Sequence, residues 1–181
     1  MTLAQAPLIH EEVVMFHNGE VTLGGTLLLP ETPRPCPGVA LVHGSGDDTR
    51  DDYRVFARYF AERGIATLIY DKRGVGASTG SWRAGTFTEL AGDALAAVRL
   101  LAQRGDIDSR RIGLWGCSEG GWVAPLAASQ SPDVRFLVAI SAAGSAGCSA
   151  ARGVRRRFGA ALSVASAPSV APFAPLAASV S

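Results

Sequence analysis

Gly116-Cys-Ser118-Glu-Gly120 sets a serine between two glycines at the G-x-S-x-G spacing of a nucleophile elbow. Its neighbours show how such a serine could be presented. Ile112-Gly-Leu-Trp-Gly-Cys117 is a short apolar run that reads as a buried strand, and Trp122-Val-Ala-Pro-Leu-Ala-Ala reads as a helix packed on it. A serine at that junction is pushed into a tight, strained turn with its hydroxyl pointing out of the sheet. Small residues two before and two after it let strand and helix approach without a clash. The chemistry this suggests is nucleophilic attack by Ser118.

Other stretches carry weaker signals. His43-Gly44-Ser45-Gly46 follows an apolar run, and its two glycines let backbone N–H groups turn toward a ligand. His43 reads as a residue that holds this loop by hydrogen bonds, with a general-base role as the competing reading. Asp47, Asp48, Asp51 and Asp52 resemble a metal cluster only superficially, and Asp51 or Asp52 is expected to cap the helix Tyr53 to Arg63. The glycines of Asp71-Lys-Arg-Gly-Val-Gly-Ala-Ser78 do not follow G-x-G-x-x-G, so a loop across the top of a sheet is expected and a dinucleotide cofactor is not. Cys36, Cys117 and Cys148 give neither a pairing framework nor a C-x-x-C spacing. No metal or cofactor is expected.

These residues need elements to position them. Glu11 to His17, Asn18-Gly19 and Glu20 to Leu29 read as a β-hairpin turning on the Asn-Gly pair. Pro30 to Pro37 holds four prolines and reads as a loop. Gly38 to His43 and Gly64 to Tyr70 are apolar runs typical of strands buried on both faces. Leu90, Ala94, Leu95, Val98 and Leu101 recur at helical spacing between Thr88 and Arg104, and Gly105 to Arg111 reads as a turn. Val134 to Ser141 is a sixth strand candidate after the break at Ser131-Pro-Asp133. The alternation from Gly38 to Ser141 predicts an α/β fold with a mostly parallel sheet and helices on both faces. Ligands sit beyond the carboxyl ends of such strands, where His43, Asp71 and Ser118 all fall.

A chain of 181 residues is long enough for one domain with a sizeable core. Its 48% hydrophobic and 18% charged residues describe a soluble globular protein, and a net charge of +1 gives no reason to expect a nucleic-acid partner. Met1 to His10 lacks a basic stretch followed by an apolar run, and no Pro-free run of about 20 apolar residues occurs, so no signal peptide or membrane span is expected. A cytoplasmic location follows by default.

Together, His43-Gly-Ser-Gly with Arg50, Asp71 to Ser78, Ile107 to Gly113, Gly116 to Trp122 and Ser131-Pro-Asp-Val-Arg-Phe136 resemble the α/β-hydrolase superfamily. The likeness is to its bacterial esterases and serine-aminopeptidase-like hydrolases, and it covers about residues 10–144. The resemblance implies that Ser118 attacks an ester, thioester or amide carbonyl of a small molecule. It implies too that the backbone N–H groups of Ser45 and Glu119 form the oxyanion hole, the Glu119 side chain taking no part. Triads in this superfamily run serine, acid, histidine along the chain. Here only Glu119 and Asp133 are acids at or beyond the elbow, and His10, His17 and His43 all precede it. The last strands of the fold, which would carry acid and base, have no counterpart.

In their place, residues 145–181 contain eleven Ala, seven Ser, four Arg and three Pro, with no acid, Lys or His. Such a stretch reads as a low-complexity tail without a packed structure. Loss of acids, and arginine almost to the exclusion of lysine throughout, fit GC-rich codons read out of register from near residue 145. Two readings compete: a serine hydrolase, foremost a carboxylesterase, impaired by loss of its acid and histidine, and an inactive α/β domain that binds a small ligand or partner.

Overall fold

In a computed structural model of the chain, residues 7–140 are described. The expected tail at 145–181, and the last residue of the expected sixth strand, lie outside them. Six strands form one sheet: β1 (Ile9–Asn18), β2 (Val21–Pro30), β3 (Cys36–Val42), β4 (Ala66–Tyr70), β5 (Ile107–Cys117) and β6 (Phe136–Ile140). Their spatial order is β1-β2-β4-β3-β5-β6. β3 to β6 run parallel, while β1 and β2 form an antiparallel hairpin joined antiparallel to β4. The sequence-based architecture of four parallel strands preceded by a hairpin is what the chain adopts.

Helix α1 (Arg54–Ala61) covers one face with Leu28, Val39, Leu41, Ile69 and Trp115 beneath it. Helices α2 (Phe87–Ala102) and α3 (Gly120–Gln130) cover the other, over Leu27, Ala40, Val42, Leu68 and Leu114. Alternate strand residues thus serve opposite faces, as the period of two requires. The chain leaves β3 through α1 toward β4, then crosses back through α2 to β5 on the other side of β3. The carboxyl end of β3 is therefore a topological switch point.

Three details differ from the sequence reading. The hairpin pairs Asn18 with Val21, so the turn residues are Gly19 and Glu20 rather than Asn18 and Gly19. Gly19 alone takes the left-handed conformation there, at φ +59°, so a glycine in the first central position sets the register. Pro37 lies within β3 instead of in a loop, and the ladder with β5 is irregular between Cys36 and Gly38, where a missing N–H is tolerated. Finally, β5 starts at Ile107, not Ile112. Ile107 pairs with Cys36 and Ile112 with Gly38, and the extra residues between them are held by Asp108 accepting the Arg110 N–H at 2.9 Å.

Candidate active site

Ser118 sits between the last residue of β5 and the first of α3, in the strand-to-helix turn expected of it. It is exposed, and at φ +53° it is the only non-glycine residue with positive φ among the described residues. A side chain in that region costs on the order of 1–3 kcal/mol and persists only where its surroundings over-determine it. Here they do. The Ser118 N–H donates to the Ile140 carbonyl at 3.0 Å, and the Ser118 carbonyl accepts the Gly121 N–H at 2.9 Å. A Cβ on Gly116 would lie 2.1 Å from the Gly120 carbonyl oxygen, and one on Gly120 would lie 2.4 Å from that of Val42. The two glycines are small because backbone passes on both sides.

β3 supplies the facing loop. The Gly44 N–H donates to the Tyr53 hydroxyl at 2.6 Å, and that hydroxyl donates to Asp48 at 2.8 Å. Burial holds the Tyr53 phenol well above its usual range, so it remains a donor. Each of the other acids is likewise committed. Asp47 accepts from Trp82 and Arg83, and Asp51 from Arg54. Asp52 reaches back to the N–H and hydroxyl of Thr49, both at 2.8 Å, so neither Asp51 nor Asp52 is the helix cap expected from the sequence. Thr49 caps a short 3-10 turn over Arg50–Tyr53, Asp52 is its partner three residues on, and Tyr53 is the residue that precedes α1.

His43 is buried, with its Nε2 2.5 Å from the Tyr70 carbonyl. A carbonyl only accepts, so Nε2 carries the proton and donates. Burial, opposed by that hydrogen bond, lowers the imidazole to about 4. It therefore holds the ends of β3 and β4 together, the loop-holding role read from the sequence. Asp133 precedes β6, at the amino end of the parallel strands and so opposite Ser118. His10 and His17 lie on β1, four strands from β5.

Asp71 ends β4. Burial would raise its carboxyl, but hydrogen bonds from Arg50 and the Ala77 N–H hold it below the usual range. The Arg50 Nη2 lies 2.7 Å away, with Nε and backbone N–H on the other oxygen. Arg73 makes a second buried pair, 2.7 Å from each oxygen of Asp93. Sequence reasoning missed that pair, and it missed Lys72, the only lysine in the chain. Lys72 is buried, and its Nζ donates to the Gly44 carbonyl at 2.8 Å and to Glu119 Oε1 at 2.6 Å. The Glu119 side chain, assigned no part beside its backbone, is thus one half of an ion pair. A buried lysine needs an acid, and Glu119 was the nearest acid to the elbow in sequence. A small cavity lined in part by His43, Tyr70, Lys72, Arg73, Asp93 and Glu119 lies beneath.

Among the described residues, no group of His, Cys, Asp and Glu is arranged to hold a metal ion, and no helix is long and apolar enough to cross a membrane.

The comparisons with known proteins extend the picture. An uncharacterized 31.7 kDa protein of Escherichia coli, from the traX-finO intergenic region, is 33% identical over 113 residues, 62% of this chain and 40% of its own. Esterase EstD of Thermotoga maritima is 31% identical over 116 residues, 60% of this chain and 28% of its own. The chain thus spans well under half the length of these curated relatives. The crystal structure of hypothetical protein PA2218 from Pseudomonas aeruginosa superposes with a TM-score of 0.68 at 26% identity, covering 75% of this chain and 43% of that one. The family model described as serine aminopeptidase, S33, matches residues 33–171, past residue 144 where the motif-based likeness stops. With its strand order, its strained turn at Ser118 and a match over more than half its length, the chain belongs to the serine aminopeptidase family of α/β-hydrolases.

Proposed function

We propose that Ser118 is the nucleophile of a carboxylesterase-type site. The observation that carries this is the left-handed, exposed Ser118 at the β5–α3 turn, a strained backbone that presents a serine side chain at the carboxyl end of β5. Attack of its Oγ on an ester carbonyl forms the C–O bond of a tetrahedral intermediate, and the serine proton passes to a base. Collapse then expels the alcohol and leaves an acyl-serine for water to hydrolyse. The N–H groups of Ser45 and Glu119 receive the developing oxyanion. In support, neither N–H has a hydrogen-bond partner among the described residues, whereas the neighbouring N–H of Gly44 is taken by Tyr53. The name of the Thermotoga relative supports an ester substrate, and thioesters or amides would follow the same tetrahedral course. Free thiols at Cys36 and Cys117 suit the cytoplasmic location that belongs to this reading.

The base is the weak point of this chain. His43 has donated its Nε2 proton to Tyr70 and binds a further one only near pH 4. No histidine follows Ser118. Loss of a triad base costs on the order of 10⁶-fold in kcat, leaving about 10³-fold over water. The chain should therefore turn over p-nitrophenyl acetate hardly at all, yet retain a serine that an added base can activate. A fluorophosphonate with imidazole as that base tests this. The expected result is a phosphonyl adduct on Ser118 by peptide mapping, faster with imidazole and absent in Ser118→Ala. Absence of that adduct from the wild-type chain at saturating imidazole would refute the reading.

A further inference from the structure

We infer that Lys72 is a positioning residue that sets both oxyanion donors at once, an inference that rests on the assignment of Ser118, Ser45 and Glu119 above. Three adjacent strands meet at this point. Lys72 follows β4, Gly44 follows β3, and Glu119 follows β5, with β3 in the middle. The Nζ spans them, 2.8 Å from the Gly44 carbonyl and 2.6 Å from Glu119 Oε1.

Peptide geometry gives the first contact its meaning. The Gly44 carbonyl and the Ser45 N–H belong to one trans peptide, so they point in opposite directions. An ammonium fixed on the carbonyl oxygen from below therefore aims the Ser45 N–H upward, away from the core. It also draws electron density toward the oxygen and makes that N–H a stronger donor. The second contact fixes the side chain of the residue whose own N–H is the other donor. One cation thus ties two donors, from loops that share no strand, to a common point.

The setting suits this task. Lys72 is 2% exposed, so the bonds it makes are not diluted by water. Its Nζ lies 4.3 Å from the centre of the Trp82 ring, which closes the site from one side and is itself held by Asp47 of the β3 loop at 2.7 Å. Its backbone N–H also reaches that loop, at the Asp48 carbonyl, 3.2 Å away. All sixteen other basic side chains in the protein are arginine. A compact ammonium with three freely directed donors can bridge two acceptors in a closed space where a planar guanidinium would not fit the same angles.

Saturation kinetics of phosphonylation of the full chain separate this role from general support of the fold. Ser118 Oγ bonds to phosphorus, fluoride leaves, and imidazole takes the serine proton. Charge grows on the phosphonyl oxygen during the step but not in the initial complex, so misplaced donors slow the step and leave binding alone. Lys72→Met should lower the maximal labelling rate at least tenfold, with the half-saturating probe concentration within twofold of wild type. Lys72→Met/Glu119→Gln removes both charges together, leaves no unpaired ion to unfold the chain, and should show the same drop. Wild-type labelling rates in either folded variant, or a change in half-saturation alone, would overturn the role of Lys72 while leaving Ser118 as nucleophile. Failure of the wild-type chain to label at Ser118 would instead remove the site on which the inference rests.

Discussion

Gly116 and Gly120 hold their places because a methyl group at either would overlap backbone oxygen at 2.1 Å or 2.4 Å. Backbone cannot move aside as a flexible side chain can. Gly120→Ala is therefore expected to destabilise the fold by about 3 kcal/mol, the upper range for an overpacked site, seen as a lowered urea midpoint. This steric requirement was legible in the sequence, because G-x-S-x-G states it directly. His43 was partly legible, as a polar residue ending a buried strand, but its partner was not. It titrates near pH 4 when folded and near 6.5 when free, so between those values the unfolded chain binds more protons. Stability should therefore be undiminished by His43 above pH 6.5 and fall by about 3 kcal/mol as pH drops to 4. His43→Gln keeps a donor for Tyr70 and should flatten that part of the profile in urea titrations at graded pH. A wild-type slope surviving the substitution would place the proton elsewhere.

At the scale of elements, the loops after β3 and β4 are held by ions rather than by apolar packing. Arg50 reaches over to Asp71 with both partners largely buried, their side chains 14% and 5% exposed. Asp71→Asn leaves the guanidinium unpaired in that site and is expected to cost about 3 kcal/mol in chemical denaturation, against near-wild-type stability for Arg83→Ala on the surface. Apolar runs, alternation and helical spacing located the body of each strand and helix, but the first residues of β5, Ile107 to Arg111, are mostly polar and read as a turn. Such patterns could not locate ion pairs, because the pairing of Lys72 with Glu119 or Arg73 with Asp93 depends on which strand ends become neighbours. The order β4-β3-β5 decides that, and it arises from crossovers that leave no local trace in sequence. The one-residue shift of the hairpin turn has a similar cause: Asn18 was needed elsewhere, donating to Asp93 at 2.8 Å.

For the whole molecule, the sheet ends in β6, which pairs only with β5 among the described residues. Val138 on this strand is 37% exposed. An apolar strand edge invites pairing with other chains. The isolated chain is expected to bind a hydrophobic dye and to self-associate by analytical ultracentrifugation, and Val138→Lys to reduce both. A wild-type monomer that ignores the dye would show the edge to be covered.

The claim on which the rest depends is that Ser118, Ser45 and Glu119 converge on one reacting atom. A crystal structure of the chain phosphonylated in the presence of imidazole tests it most directly. The account predicts phosphorus on Ser118 Oγ, with the phosphonyl oxygen about 2.7–3.1 Å from the backbone nitrogens of both Ser45 and Glu119. An adduct on another residue, or a phosphonyl oxygen directed away from those two N–H groups, would contradict it.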